Sequence, residues 1–85
     1  MKKIAVPHAE IKTRLKLITD NIRKLRENRN YSQEYMAGKL NISQNTYSKL
    51  ELGYTLLTLE RLIIIAGILE VNVLSLVNIP NKSEA

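Results

Sequence analysis

Eighty-five residues suit one small domain with one modest core, since a chain this short buries only about 60–65% of its unfolded surface. Cysteine is absent and histidine and aspartate occur once each, as His8 and Asp20, which argues against a disulfide scaffold, a thiolate zinc site, a cysteine nucleophile and a metal cluster. Thirteen Lys and Arg against eight Asp and Glu give +5, and residues 1–30 hold nine of the bases with three acids. That basic end fits either a polyanion partner met first by the amino-terminal third or a solubilising helix face.

In chain order, Met1-Lys2-Lys3 and Ile4-Ala5-Val6 briefly imitate a signal peptide, but Pro7, His8 and Glu10 end the apolar stretch. The longest apolar run, Leu62 to Leu69, is eight residues, far short of a membrane span, so a cytoplasmic chain without a membrane partner is expected. Ile11, Leu15, Ile18, Ile22 and Leu25 recur at four-three-four-three spacing, the seam of a first helix ending near Glu27-Asn28. Its start is open: either just after Pro7, or near Ile18 with a loose arm before it. Residues 1–17 therefore read as a basic arm or an extension of the first helix, 18–79 as the domain, and 80–85 as a polar tail. Lys2, Lys3, Lys12, Arg14 and Lys16 could track phosphates, or Ile11 and Leu15 could pack on a neighbour.

Four later sites share one local pattern, an apolar residue, a small polar residue, and an apolar residue four positions past it. They are Tyr31-Ser32 with Met36, Ile42-Ser43 with Tyr47, Leu57-Thr58 with Leu62, and Val71-Asn72 with Leu76. Ser, Thr and Asn accept hydrogen bonds from first-turn amides, and the apolar pair closes as a staple. Helices are thus predicted to start near 33, 44, 59 and 73. No stretch alternates with a period of two over a strand length, so the fold is predicted all-α with five helices.

Only Asn41 and Ile42 separate Leu40 from the Ser43 cap. A linker that short forces a steep helix crossing, the helix-turn-helix geometry. Met36, Ala37, Leu40, Ile42, Tyr47 and Leu50 then share one core, with Gln44, Asn45, Ser48 and Lys49 on the outer face of the third helix. Asn41 is expected in the left-handed conformation at the turn.

These residues resemble the lambdoid phage repressor and Cro type of helix-turn-helix regulators, bacterial or phage proteins of the xenobiotic-response-element-like group. The resemblance runs over about residues 18–78. It is carried by Ile22 to Glu27, Ser32 to Ala37, Ile42 to Glu51, Gly53, and Leu59 to Leu69. It implies a compact lambda-repressor-like fold and a homodimer that binds a double-stranded DNA operator without cofactor or metal. It further implies that Gln33 holds a phosphate and braces Gln44, that Gln44, Asn45 and Lys49 face base edges, and that Ser43 and Thr46 contact phosphate or a thymine methyl. The loop around Gly53-Tyr54-Thr55 would offer backbone amides to the phosphate chain, and Arg26 and Glu51 match a buried ion pair. Three departures stand out: Asn41 occupies a turn position where the family often has Gly, Leu52 replaces a polar residue, and Tyr54-Thr55-Leu56-Leu57 stand after Gly53 in place of basic residues, which implies a weaker backbone grip there.

Chemistry points the same way. Gln and Asn amides present a donor and an acceptor together to adenine, and Lys donates to guanine or holds phosphate. No nucleophile–base pair or carboxylate constellation stands at usable spacing, so no enzyme is expected. An antitoxin-type or other protein-interaction module on the same fold is the alternative. RNA fits less well, because Phe and Trp are absent and A-form RNA closes its major groove to side chains. On the fourth helix Leu59, Leu62, Ile63, Ala66 and Leu69 are expected to face the core, with Ile65 at its edge and Ile64 opposite. Ile64, Val73, Leu74 and Val77 then form surplus apolar surface that suits a dimer interface.

Overall fold

A computed structural model of the chain describes residues 7–54 and 57–78. Five helices follow one another among them: α1 (His8–Asn28), α2 (Gln33–Leu40), α3 (Gln44–Leu52), α4 (Leu59–Leu69) and α5 (Val73–Val77). The four small polar residues before α2 to α5 each cap their helix. Ser32 Oγ accepts from Tyr35 N–H, Ser43 Oγ from Thr46 N–H, Thr58 Oγ1 from Arg61 N–H, and Asn72 Oδ1 from Leu74 N–H. Each bond satisfies a first-turn amide that the helix itself leaves unpaired.

α1 begins directly after Pro7, without a side-chain cap, and its 21 residues run about 31 Å at 1.5 Å per residue. Pro7 has no N–H to leave unsatisfied, and its carbonyl accepts from Glu10 and Ile11. The helix stops at Asn28, and Asn30 turns the chain with φ of 59°. Between α2 and α3, Asn41 adopts the left-handed conformation (φ 58°, ψ 43°). Its N–H donates to Gly38 O, while Ile42 N–H donates to Ala37 O at 3.0 Å. That pairing satisfies the last carbonyls of α2 and reverses the chain within two residues.

The core gathers Ile22 of α1, Met36 and Ala37 of α2, Tyr47 and Leu50 of α3, Leu62, Ile65, Ala66 and Leu69 of α4, and Leu76 of α5. Leu40 and Ile42 pack against it from its margin. Ala37 is buried on α2, which packs against both α3 and α4. The result is a compact all-α domain built on a helix-turn-helix.

α4 differs from the sequence expectation. Ile65 is fully buried, whereas Leu59 and Ile63 are 71% and 54% exposed. The core-facing arc is Leu62, Ile65, Ala66 and Leu69. Leu59, Leu62, Ile63 and Ala66 satisfy the same 3.6-residue period with a different phase, and a run in which every residue is apolar gives periodicity nothing to choose between them.

Candidate nucleic-acid interface

α3 presents its first turn outward. Gln44 and Asn45 are exposed, Lys49 is exposed one turn further on, and Ser48 lies half-buried between them. Among the described residues, the side chains of Gln44, Asn45 and Lys49 make no hydrogen bond or ion pair, so their donors and acceptors are open to a ligand. Ser43 and Thr46 differ. Ser43 Oγ accepts from Thr46 N–H and donates to Thr46 Oγ1 at 2.8 Å. Ser43 has thereby committed its only proton, while the Thr46 hydroxyl keeps its own.

The carboxy-terminal end of α3 closes on Gly53, whose φ of 84° lies in the left-handed region where a side chain would be strained. Tyr54 N–H donates back to Lys49 O at 2.9 Å, and the Tyr54 side chain is 79% exposed. Thr55, expected beside it as a backbone contact, lies outside the described residues.

Beneath this surface sits a buried polar cluster centred on Glu51, which is 3% exposed. Arg26 binds it bidentately, Nε to Oε2 at 2.6 Å and Nη2 to Oε1 at 3.1 Å. Tyr47 Oη donates to Oε2 at 2.6 Å, and Gln33 Nε2 donates to Oε1 at 3.2 Å. The third arm of Arg26, Nη1, donates to Tyr31 O at 2.9 Å. One carboxylate therefore joins α1, α2 and α3. Burial opposes its ionisation, yet the hydrogen bonds from Arg26, Tyr47 and Gln33 prevail and hold it below the ordinary glutamate value. Burial, reinforced by the bond to Glu51, pushes the Tyr47 phenol far up, so it remains a donor at any moderate pH.

Gln33 was expected to brace Gln44; the bond its amide makes runs instead to Glu51. Tyr47 was expected only as core, but a phenol at zero exposure needs a partner for its hydroxyl, and Glu51 stands four residues along the same helix. That signal was present in the sequence. Asn21 gave none: its Nδ2 donates to Leu76 O at 2.9 Å, a backbone acceptor 55 residues away that ties α1 to α5.

The helix-turn-helix family model matches residues 22–76, from the middle of α1 into α5. The chain belongs to the helix-turn-helix family. It is a DNA-binding domain of regulatory type, and the family is not catalytic. No curated protein and no solved structure matches the chain. Among the described residues, no helix is long and apolar enough to cross a membrane, and no group of three or more His, Cys, Asp or Glu could hold a metal ion. On the side chains expected at a dimer interface, the helix-turn-helix domain exposes Ile64 and Leu74 by 42% and 70%. Val73 and Val77 are half-buried against its core.

Proposed function

We propose that this protein is a sequence-specific regulator of transcription that binds double-stranded DNA as a homodimer, with α3 lying in the major groove. The observation that carries the reading is the unengaged trio of Gln44, Asn45 and Lys49 on the exposed face of α3, directly after a two-residue turn that fixes the helix against α2. Two side-chain amides at the entry end of that helix, with one ammonium in its last turn, suit adenine and guanine edges. Phosphate contacts come from Gln33, from the Thr46 hydroxyl and from the backbone at Gly53-Tyr54. Ser43, its proton spent on Thr46, serves as the cap that aims the helix.

Dimerisation uses the exposed apolar surface of α4 and α5 around Ile64 and Leu74, with Val73 and Val77 supporting it from beneath. A two-fold contact there sets two copies of α3 about 34–36 Å apart, one DNA turn, on a near-palindromic operator. Selection from a random duplex library tests the reading. It should return a near-palindrome, and Gln44→Ala or Asn45→Ala should weaken the selected site by about 1–3 kcal/mol while leaving random DNA almost unchanged. Equal losses on both DNAs would remove these residues from base reading.

A further inference from the structure

The family match begins at Ile22, yet α1 begins at His8. The additional turns continue the apolar seam of α1 past the core, and Ile11 and Leu15 on it are 41% and 42% exposed. Leu52 and Tyr54, at the end of α3, face them across a cleft of about 530 Å³ that His8, Lys12, Lys16 and Gly53 also line. The first half of α1 thus runs alongside the end of α3 with the cleft open between them. Leu52 lines the cleft beside this extension.

This course of α1 carries charge to a particular place. Asn45 and Lys49 stand four residues apart on the outer face of α3, and the Gly53 cap follows at its end. A Cβ placed on Gly53 would lie 3.9 Å from Lys16 Cδ, so the aliphatic stem of Lys16 lies beside that cap, and Lys12 lies one turn further along α1. Lys16 Nζ donates one of its three protons to Asp20 Oδ1 at 2.6 Å. Lys12 makes no ion pair among the described residues. Arg14 is bound to Glu10 at 3.0 Å.

We propose that the first half of α1 is a rigid strut that carries Lys12 and Lys16 onto the DNA backbone beyond the α3–α4 turn, lengthening the track of phosphates the protein holds. This rests on the DNA reading above and adds to it contacts upstream of the helix-turn-helix itself. A second copy of the chain suits the cleft less well, because the charged side chains lining it are Lys12 and Lys16, with no carboxylate, and two such rims would repel across a two-fold.

The test is the salt dependence of binding to a short duplex of random sequence, followed by fluorescence anisotropy with the full chain. Each phosphate neutralised on B-DNA contributes about 0.9 to the slope of log K against log salt. Lys12→Ala should lower the wild-type slope by about 0.9, and Lys12→Ala with Lys16→Ala by up to about twice that, with melting temperatures near wild type. Leu15→Pro, which breaks the helix between Lys12 and Lys16 while keeping both lysines, should lower the slope as well. Slopes unchanged in the lysine variants would overturn the proposal, and a change of oligomeric state with the slope intact would assign the cleft to a second copy. If the wild-type protein binds neither random nor selected duplexes, the DNA reading itself fails; that outcome is distinct from a bound complex with an unaltered slope.

Discussion

Glu51 accepts hydrogen bonds from four donors on two oxygens, and no other described residue is so heavily engaged. Removing one member of a buried ion pair leaves the other charge desolvated, at a cost of about 3–5 kcal/mol. That is a large fraction of the total stability of a domain this small. Arg26→Ala and Glu51→Ala should therefore melt far below wild type or fail to fold; either one melting within a degree or two of wild type would show that the pair does not hold the domain. The pH dependence follows in sign. The Glu51 carboxyl lies below its ordinary value of 4.5 in the folded protein, so its contribution is complete above that value and is lost as pH falls through the folded pKa. The Tyr47 phenol lies above its ordinary value of 10.0, so its contribution is complete below that value and is lost only as pH rises further. Thermal melts should be flat between these limits and fall in acid. Glu51→Gln, where it folds, should show a shallower acid limb by circular dichroism.

At the scale of the element, α4 separates pattern from placement. Leu62, Ile65, Ala66 and Leu69 face inward, while Leu59, Ile63 and Ile64 face out. Ile65→Ala should cost about 2–5 kcal/mol, the usual range for emptying a filled core site. Ile63→Ser, on the exposed face, should change monomer stability by no more than about 0.5 kcal/mol. Urea unfolding of the two variants checks the assignment, and a reversal of their order would restore the alternative phase of the helix. The same element shows what local sequence does settle. Thr58 caps α4 at the position its hydroxyl and the flanking Leu57 and Leu62 specify, as Ser32, Ser43 and Asn72 do for their own helices.

For the whole molecule, the unexplained surface is apolar and lies on α4 and α5. Leu59, Ile63, Ile64 and Leu74 are all more than 40% exposed. A monomer keeps scattered exposed apolar side chains without consequence, and the proposed homodimer would cover these. Sedimentation at micromolar concentration should find a dimer, and Ile64→Glu with Leu74→Glu should return it to monomer without unfolding it. A wild-type monomer, or a dimer untouched by those charges, would defeat the proposed assembly.

The helices, their caps and the two-residue turn were legible in the chain because each depends on chemistry within about four residues. Ser32, Ser43, Thr58 and Asn72 satisfy amides of the helix they precede, and Asn41 tolerates the left-handed turn by itself. The exposed trio on α3 was legible for the same reason, since the buried positions Tyr47 and Leu50 fix which face is left outside. The phase of α4, the bond from Gln33 to Glu51, the tie from Asn21 to Leu76 and the course of α1 beside Gly53 were not. Each of these pairs a residue with another element, and a side chain's partner across the core is selected by how the helices cross, which local periodicity does not encode.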